Sequence, residues 1–154
     1  MTGAVHVAAV ALWAGAAVAG QVLLWRARSG GDLGRELRTL RRAQPLLAVE
    51  HGAFAIALVS GAVLMADRGF SLGHPRWFGV KLGLVAFLFV PLEAMHAYVG
   101  HVWIARGLRE TPAPPFSKDL ARGIGMDDMV RTLAALLLGV AVPLVVWLSR
   151  ARPF

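Results

Sequence analysis

The fold is decided by an apolar stretch in the second half of the chain. Residues 78–105 read FGVKLGLVAFLFVPLEAMHAYVGHVWIA. A helix rises about 1.5 Å per residue, so roughly 20 apolar residues cross the ~30 Å hydrocarbon core of a bilayer. This stretch exceeds that length, and it lacks the alternation of period two that is typical of a barrel strand. It therefore predicts a membrane-spanning helix.

Three more stretches satisfy the same requirement, at about residues 5–25, 46–66 and 129–148. The composition agrees, because 57% of the residues are hydrophobic and only 16% are charged, against ~25% charged residues in a soluble domain. The connection at 67–76 is short, which favours antiparallel neighbours. We therefore predict one all-α domain over residues 1–154, an integral membrane antiparallel four-helix bundle.

Basic residues indicate the orientation of the predicted spans. Lys and Arg number 16 against 9 Asp and Glu, for a net charge of +7. They lie between apolar runs, as in loops next to a bilayer, which argues against nucleic-acid binding. Eleven fall in the first and third connections, namely Arg26, Arg28, Arg35, Arg38, Arg41, Arg42, Arg106, Arg109, Lys118, Arg122 and Arg131. The positive-inside rule then predicts that both termini are on the non-cytoplasmic side.

The connections allow less definite predictions. Residues 32–42 form either a short interfacial helix that meets anionic lipid or a basic extension of the second span. Residues 107–125 contain three prolines and three glycines, which is typical of an irregular loop. Asp127 or Asp128 would then cap the fourth span. The chain has no cysteine, so any metal or cofactor is held by His, Met, Lys or carboxylate groups.

Ionisable residues inside the predicted spans are functional candidates, because each costs several kcal/mol unless it faces a partner in the bundle. His51 and His96 both lie roughly 13 to 15 Å from the cytoplasmic boundary, counted from Arg42 and Arg106. Two imidazoles at one level on different helices are what the axial ligands of a haem require. We therefore predict His51 and His96 as metal ligands. The alternative is that each is a hydrogen-bonded packing residue.

Spacing along the helices places the other candidates. Glu93 and His96 are three residues apart and share a face that Gly100 extends, so a flat macrocycle could approach the backbone there. His101 is five residues beyond His96, about 140° round an α-helix, and is expected to point elsewhere. His6 lies near the outer end of the first predicted span. Glu50, Glu93 and Lys81 also have structural interpretations. Glu50 would snorkel or pair with a cytoplasmic arginine, Glu93 would form a structural ion pair, and Lys81 would anchor the helix by snorkelling.

Short motifs in the first and third predicted helices and at the chain end resemble those of a known family. The matching residues are His6, Trp13, Ala14 and Gly15, then Trp77, Phe78, Lys81, Leu82, Leu84 and Val85, then His96, Tyr98 and Gly100, and finally Arg152, Pro153 and Phe154. The pattern is similar to the HemJ-type four-helix membrane protoporphyrinogen IX oxidase family, and more loosely to the membrane domain of the copper-resistance protein D family. Two family elements are missing, a Met-Thr-Pro element in helix two and an Asn-Glu-x-Pro element in helix four.

The resemblance implies a haem b protein of the cell inner (plasma) membrane with a redox role. It implies oxidation of a porphyrinogen to a porphyrin, with electrons passed to the membrane chain and a quinone as a conceivable partner. In that reaction His6 or Glu93 would act as base and Lys81 would hold substrate propionates. His51 has no counterpart in the family, so His6 or His101 is an alternative axial ligand.

Two other functions compete with this one. Copper handling would use His6, His51 and His96, with Met65 or Met95, although soft Cys and Met clusters are missing from the sequence. The other is a cofactor-free accessory subunit of a larger membrane complex, in which the buried polar residues fix helix register. A homo-oligomer is compatible with all three functions.

Overall fold

A computed structural model of the chain describes residues 2–69 and 76–151. Every regular element in these residues is helical. Four helices are long and apolar enough to cross a membrane: Thr2–Arg28, Leu33–Asp67, Trp77–Glu110 and Lys118–Trp147. The predictions for the loop between the second and third spans and for the Arg-Pro-Phe ending lie partly or wholly outside the described residues.

Helices α1 (Thr2–Arg28) and α2 (Leu33–Asp67) form a closely packed pair. The Asp32 side chain begins α2 by accepting hydrogen bonds from the backbone N–H groups of Gly34 and Arg35, which satisfies donors that lack a partner in the first turn. The helix then continues without a break to Asp67. Residues 32–42 are therefore an extension of the second span and not a separate interfacial helix.

The third span consists of three α-helical parts, α3 (Arg76–Leu84), α4 (Val90–Tyr98) and α5 (Ala105–Glu110). Wider π-helical turns separate them, at Val85–Phe89 and Val99–Ile104. The first lies just before Pro91, whose ring has no N–H and clashes with the carbonyl four residues earlier in a regular α-helix. In this turn the N–H of Val90 bonds to the carbonyl of Val85, five residues back. The wider turn thus lets the helix pass the proline.

Helix α6 (Lys118–Ala151) begins earlier than predicted. The Ser117 hydroxyl accepts a hydrogen bond from the N–H of Leu120, as a capping residue does. The irregular connection is therefore limited to residues 111–117. The predictions of a loop over 107–125 and of a cap at Asp127 or Asp128 are wrong, because the Gly-containing segment is held helical by packing against the third span.

Two buried apolar clusters hold the helices together. One lies toward the end of the molecule that carries Arg28 and consists of Leu24, Leu37, Leu40, Val99, Ile104, Leu108 and Leu120. The other consists of Trp13, Ala53, Phe89 and Ala141. Along α2 and the third span, residues 50–51 and 93–96 fall between the clusters. Polar groups at these positions are therefore enclosed by apolar packing on both sides.

Many large apolar side chains outside these clusters are exposed. They include Val7, Val18, Val59, Phe87, Leu136 and Val140. A soluble protein rarely exposes contiguous apolar surface of this extent, whereas a membrane helix faces hydrocarbon with such residues. The exposure pattern therefore agrees with four helices that cross a membrane.

An ion-pair cluster joins three helices near the end of α1. The Arg28 Nε atom donates to Glu36 Oε1 at 2.9 Å, and the same guanidinium pairs with Asp128. Arg28 is on α1, Glu36 on α2 and Asp128 on α6. One guanidinium with two carboxylate partners thus fixes the relative positions of three helix segments.

The third span approaches α6 closely at a glycine. A Cβ atom added to Gly107 would lie 2.8 Å from the Cα and 2.9 Å from the Cβ of Leu120. These atoms belong to or adjoin the backbone, so they cannot move aside as a flexible side chain would. The contact explains why a small residue is needed at this crossing.

We expect Gly107→Ala to destabilise the protein, because the added methyl group overpacks the crossing at a cost of about 1–3 kcal/mol. Gly125→Ala on α6 is the matched control, since a Cβ there meets no atom within 4 Å. The measurement is the thermal unfolding midpoint in detergent, followed by circular dichroism. Equal midpoints for the two variants would contradict the proposed close packing.

Candidate metal centre

Four ionisable side chains meet between α2 and α4. They are Glu50 and His51, which are consecutive on α2, and Glu93 and His96, which are three apart and so share a face of α4. One ligand atom from each lies within 4.8 Å of all the others. The prediction that His51 and His96 lie at one level is confirmed, since their ring centroids are 5.0 Å apart.

His96 lies between two carboxylates. Its Nδ1 is 3.3 Å from Glu50 Oε1 and its Nε2 is 3.3 Å from Asp127 Oδ1. Asp127 in turn accepts a hydrogen bond from Arg131 Nε at 2.8 Å. Only 3% of Glu50 and 1% of Asp127 is exposed, so Glu50 does not reach a cytoplasmic arginine. Glu50, His96, Asp127 and Arg131 form a buried chain across three helices.

Sequence reasoning missed Asp127 and Arg131 as site residues. The sequence predicts a helix cap at Asp127 or Asp128 and places Arg131 with the basic connection, whereas Asp127 and Arg131 both lie inside α6. Their spacing of four residues is that of an ion pair on one helix face. That spacing, at the start of an apolar run, was the available signal.

Glu93 is oriented by a tryptophan. The indole Nε1 of Trp13 on α1 donates a hydrogen bond to Glu93 Oε1 at 2.7 Å. The second carboxylate oxygen, Oε2, lies 3.5 Å from His51 Nε2, and neither atom has a hydrogen-bond partner. His96 Nε2 also lacks a well-aligned hydrogen bond. Buried polar atoms without partners are rare in native proteins and indicate a bound water or ion.

The second π-helical turn changes the direction of His101. Sequence spacing predicted that His101 points away from His96, but the His51 ring lies 5.0 Å from the His96 ring and 5.1 Å from the His101 ring. His51 Nδ1 is 3.1 Å from His101 Nε2. The prediction is wrong because the 140° offset assumes an unbroken α-helix, and a π turn brings residues five apart toward one face.

The net charge of the network depends on which of its groups carry protons. Its carboxylates are those of Glu50, Glu93 and Asp127, and its one guanidinium is that of Arg131. With neutral imidazoles, three negative charges and one positive charge leave −2. A net charge buried among apolar helices is costly. A divalent cation at the four clustered ligands would neutralise it, and so would one proton each on His96, which lies between two carboxylates, and on Glu93.

The two histidines do not fit as the opposed axial ligands of one haem. Their rings meet edge to face at an interplanar angle of 61° and a centroid distance of 5.0 Å, and the adjacent ring nitrogens face carboxylates. A macrocycle between them would need the rings to separate. A Cβ at Gly100 would contact the Leu47 side chain, so the space beside Gly100 is filled by helix packing.

The other predicted site residues lie elsewhere. His6 Nδ1 is 2.9 Å from the carbonyl oxygen of Ala57 and 3.2 Å from Ser60 Oγ, which are further along α2 than His51. Lys81 is half-buried and precedes Glu93 by about 18 Å along the helix. Neither belongs to the four-residue group. The roles that the resemblance implies, His6 or Glu93 as base and Lys81 as the contact for propionates, stay predictions.

A cavity of about 440 Å³ adjoins the cluster. Its polar wall is formed by Glu50, Glu93, His96 and Arg131. The rest is mainly apolar, with Trp13, Ala17, Val18, Phe89, Leu92, Val130, Ala134, Ala135 and Leu136. This volume lies within the range of small-molecule sites. Three of the four clustered ligands thus line one cavity.

No family model, curated protein or solved structure matches this chain. The resemblance to the porphyrinogen oxidase family stays a prediction from the sequence.

We expect Trp13→Phe to lower stability, because the ring is kept while the N–H that binds Glu93 is lost. A buried acceptor without its donor costs about 1–3 kcal/mol. Trp25→Phe is the control, since Trp25 is 66% exposed. The measurement is again the thermal unfolding midpoint in detergent, and equal shifts in both variants would show that the hydrogen bond contributes nothing.

Proposed function

We propose that this chain is a multi-pass membrane protein that binds one divalent transition-metal ion within its helices. The ligands are Glu50, His51, Glu93 and His96. The observation that supports the proposal is the approach of four buried or half-buried donors to within 4.8 Å, with unpartnered nitrogen and oxygen atoms among them.

The donor set favours some ions over others. Two imidazoles with two carboxylates suit zinc, iron(II), manganese(II) or copper(II), whereas copper(I) prefers thiolate and thioether sulfur. Met65 and Met95 are not among the clustered ligands. Copper handling is therefore included in the proposal only in the oxidised, N/O-ligated form.

The cavity supports a role in handling the ion or using it chemically. Structural metal sites are closed by protein ligands, while catalytic sites keep an open position. Here Glu50, Glu93 and His96 line the cavity, so an ion bound to them could take a further ligand. Arg131 on the same wall would offer a positive charge to that ligand.

The proposal includes the arrangement in the membrane. Four apolar helices in one chain favour an antiparallel four-helix bundle, and the family resemblance adds the bacterial inner (plasma) membrane as its location. The basic residues concentrate in the helix ends on either side of the connections after α1 and after α5, which favours both termini outside the cytoplasm. Arg131 does not count toward this bias, because it pairs with Asp127 inside the helix.

Metal analysis of the purified protein tests the proposal. We expect the detergent-solubilised protein, incubated with Zn²⁺ or Mn²⁺ and then desalted, to retain about one ion per chain. The double variant Glu93→Gln, His96→Gln should lose the ion, because it removes a charged ligand and an imidazole. Elemental analysis by inductively coupled plasma mass spectrometry measures the content.

His6→Gln is the matched control for this experiment, since it removes a histidine from the helices without touching the cluster. We expect it to retain the ion. Wild-type protein without metal would refute the proposal and favour a cofactor-free accessory subunit. Equal metal content in wild type and the double variant would place the ion elsewhere.

A haem b redox protein is the second candidate function, and one observation favours it. The cavity beside His96 measures about 440 Å³ and has aromatic walls at Trp13 and Phe89. His96 would then be a single protein ligand, since His51 and His96 do not fit as an opposed pair. Bound haem would supply a one-electron couple.

An optical spectrum tests this second candidate. If haem binds at His96, protein purified from haem-replete cells should show a Soret band and a reduced-minus-oxidised α-band, and both should be lost in His96→Ala. His6→Ala should retain them, because His6 contacts Ala57 and Ser60. A colourless preparation would rule out the haem function.

A further inference from the structure

We propose that His101 is a positioning residue for the metal site, which accepts a hydrogen bond from His51 and thereby directs the other nitrogen of His51 at the ion. This inference rests on the proposed metal site. His101 is not itself one of the four clustered ligands.

The geometry of His51 supports this role. Its two ring nitrogens face opposite partners, with Nδ1 3.1 Å from His101 Nε2 and Nε2 3.5 Å from Glu93 Oε2. A neutral imidazole carries a proton on one nitrogen and a lone pair on the other. If Nδ1 donates to His101, the lone pair is on Nε2 and points at the cluster. This is the tautomer that a ligand at that position needs.

The surroundings of His51 Nε2 and of His101 also support this role. Nε2 of His51 is buried and has no hydrogen-bond partner, as expected for a lone pair that faces an ion. His101 is exposed on the helix surface, and with its own proton on Nδ1 its Nε2 can accept the hydrogen bond. Metal-binding histidines commonly donate their second ring N–H to such a partner, which fixes the ring orientation.

The second π-helical turn is what makes the contact. At Val99–Ile104 the N–H of Ala105 bonds to the carbonyl of Gly100, five residues back. Without this turn, His101 would be offset by about 140° from His96. Single π turns inside α-helices occur often at functional sites. The turn therefore brings the His101 side chain against His51.

The affinity for Co²⁺, followed by its visible absorption, tests the role of His101. We expect His101→Leu to raise the dissociation constant roughly 10–100-fold, as for other partners of metal-bound histidines. His101→Gln should recover most of the affinity, because its amide oxygen accepts the same hydrogen bond. Unfolding midpoints of both variants should match that of wild type, since His101 is exposed.

An unchanged dissociation constant in His101→Leu would overturn the inference. If stopped-flow mixing then shows that Co²⁺ associates with and dissociates from His101→Leu more slowly than wild type by the same factor, His101 serves ion entry and not positioning. Failure of His101→Gln to recover affinity would also count against it, because the hydrogen bond would then not be the cause.

A second measurement does not need bound metal. Nitrogen-15 NMR of the metal-free protein should show His51 protonated at Nδ1, and His101→Leu should shift the proton toward Nε2. The His51 signal is assigned by its loss in His51→Gln. If wild-type protein binds no Co²⁺ but shows this tautomer change, the metal proposal fails while the hydrogen bond stands. An Nε2-protonated His51 in wild type would refute the positioning role.

Discussion

Every buried charge between apolar helices must find an opposite charge or a ligand, and the arrangement of this protein depends on that requirement. Glu50, His96, Asp127 and Arg131 meet across three helices, where Asp127 pairs with Arg131 and His96 lies between Glu50 and Asp127. Breaking one pair would leave an uncompensated charge, which costs far more than the pair contributes. The chain of ion pairs therefore fixes which faces of α2, α4 and α6 meet, and the apolar clusters on either side keep water away.

The third span contains two π-helical turns that have different causes. Pro91 is incompatible with a regular α-helix, and the π turn before it lets the helix continue. The second π turn has no proline to explain it, but it places His101 against His51. The turn at Val85–Phe89 thus follows from the covalent geometry of proline. The turn at Val99–Ile104 changes which side chains share a face of the helix.

Several features of the site were predictable from the sequence and several were not. The common level of His51 and His96 followed from counting residues between basic boundaries, because helix rise is constant. The shared face of Glu93 and His96 followed from their spacing. Asp127 and Arg131 were missed because the sequence favours a loop where tertiary contacts hold a helix. The predicted direction of the His101 side chain was wrong because π turns leave no simple sequence signal.

The sequence by itself determined four long apolar helices and polar residues at the depth of His51 and His96, since both depend only on composition and a fixed rise per residue. Only the tertiary structure decided that these imidazoles touch each other and face carboxylates, with no gap for a flat ring between them. Rotation of one helix against another and local changes of helical pitch set such contacts. Both arise from side-chain packing between distant segments, which spacing along one helix does not encode.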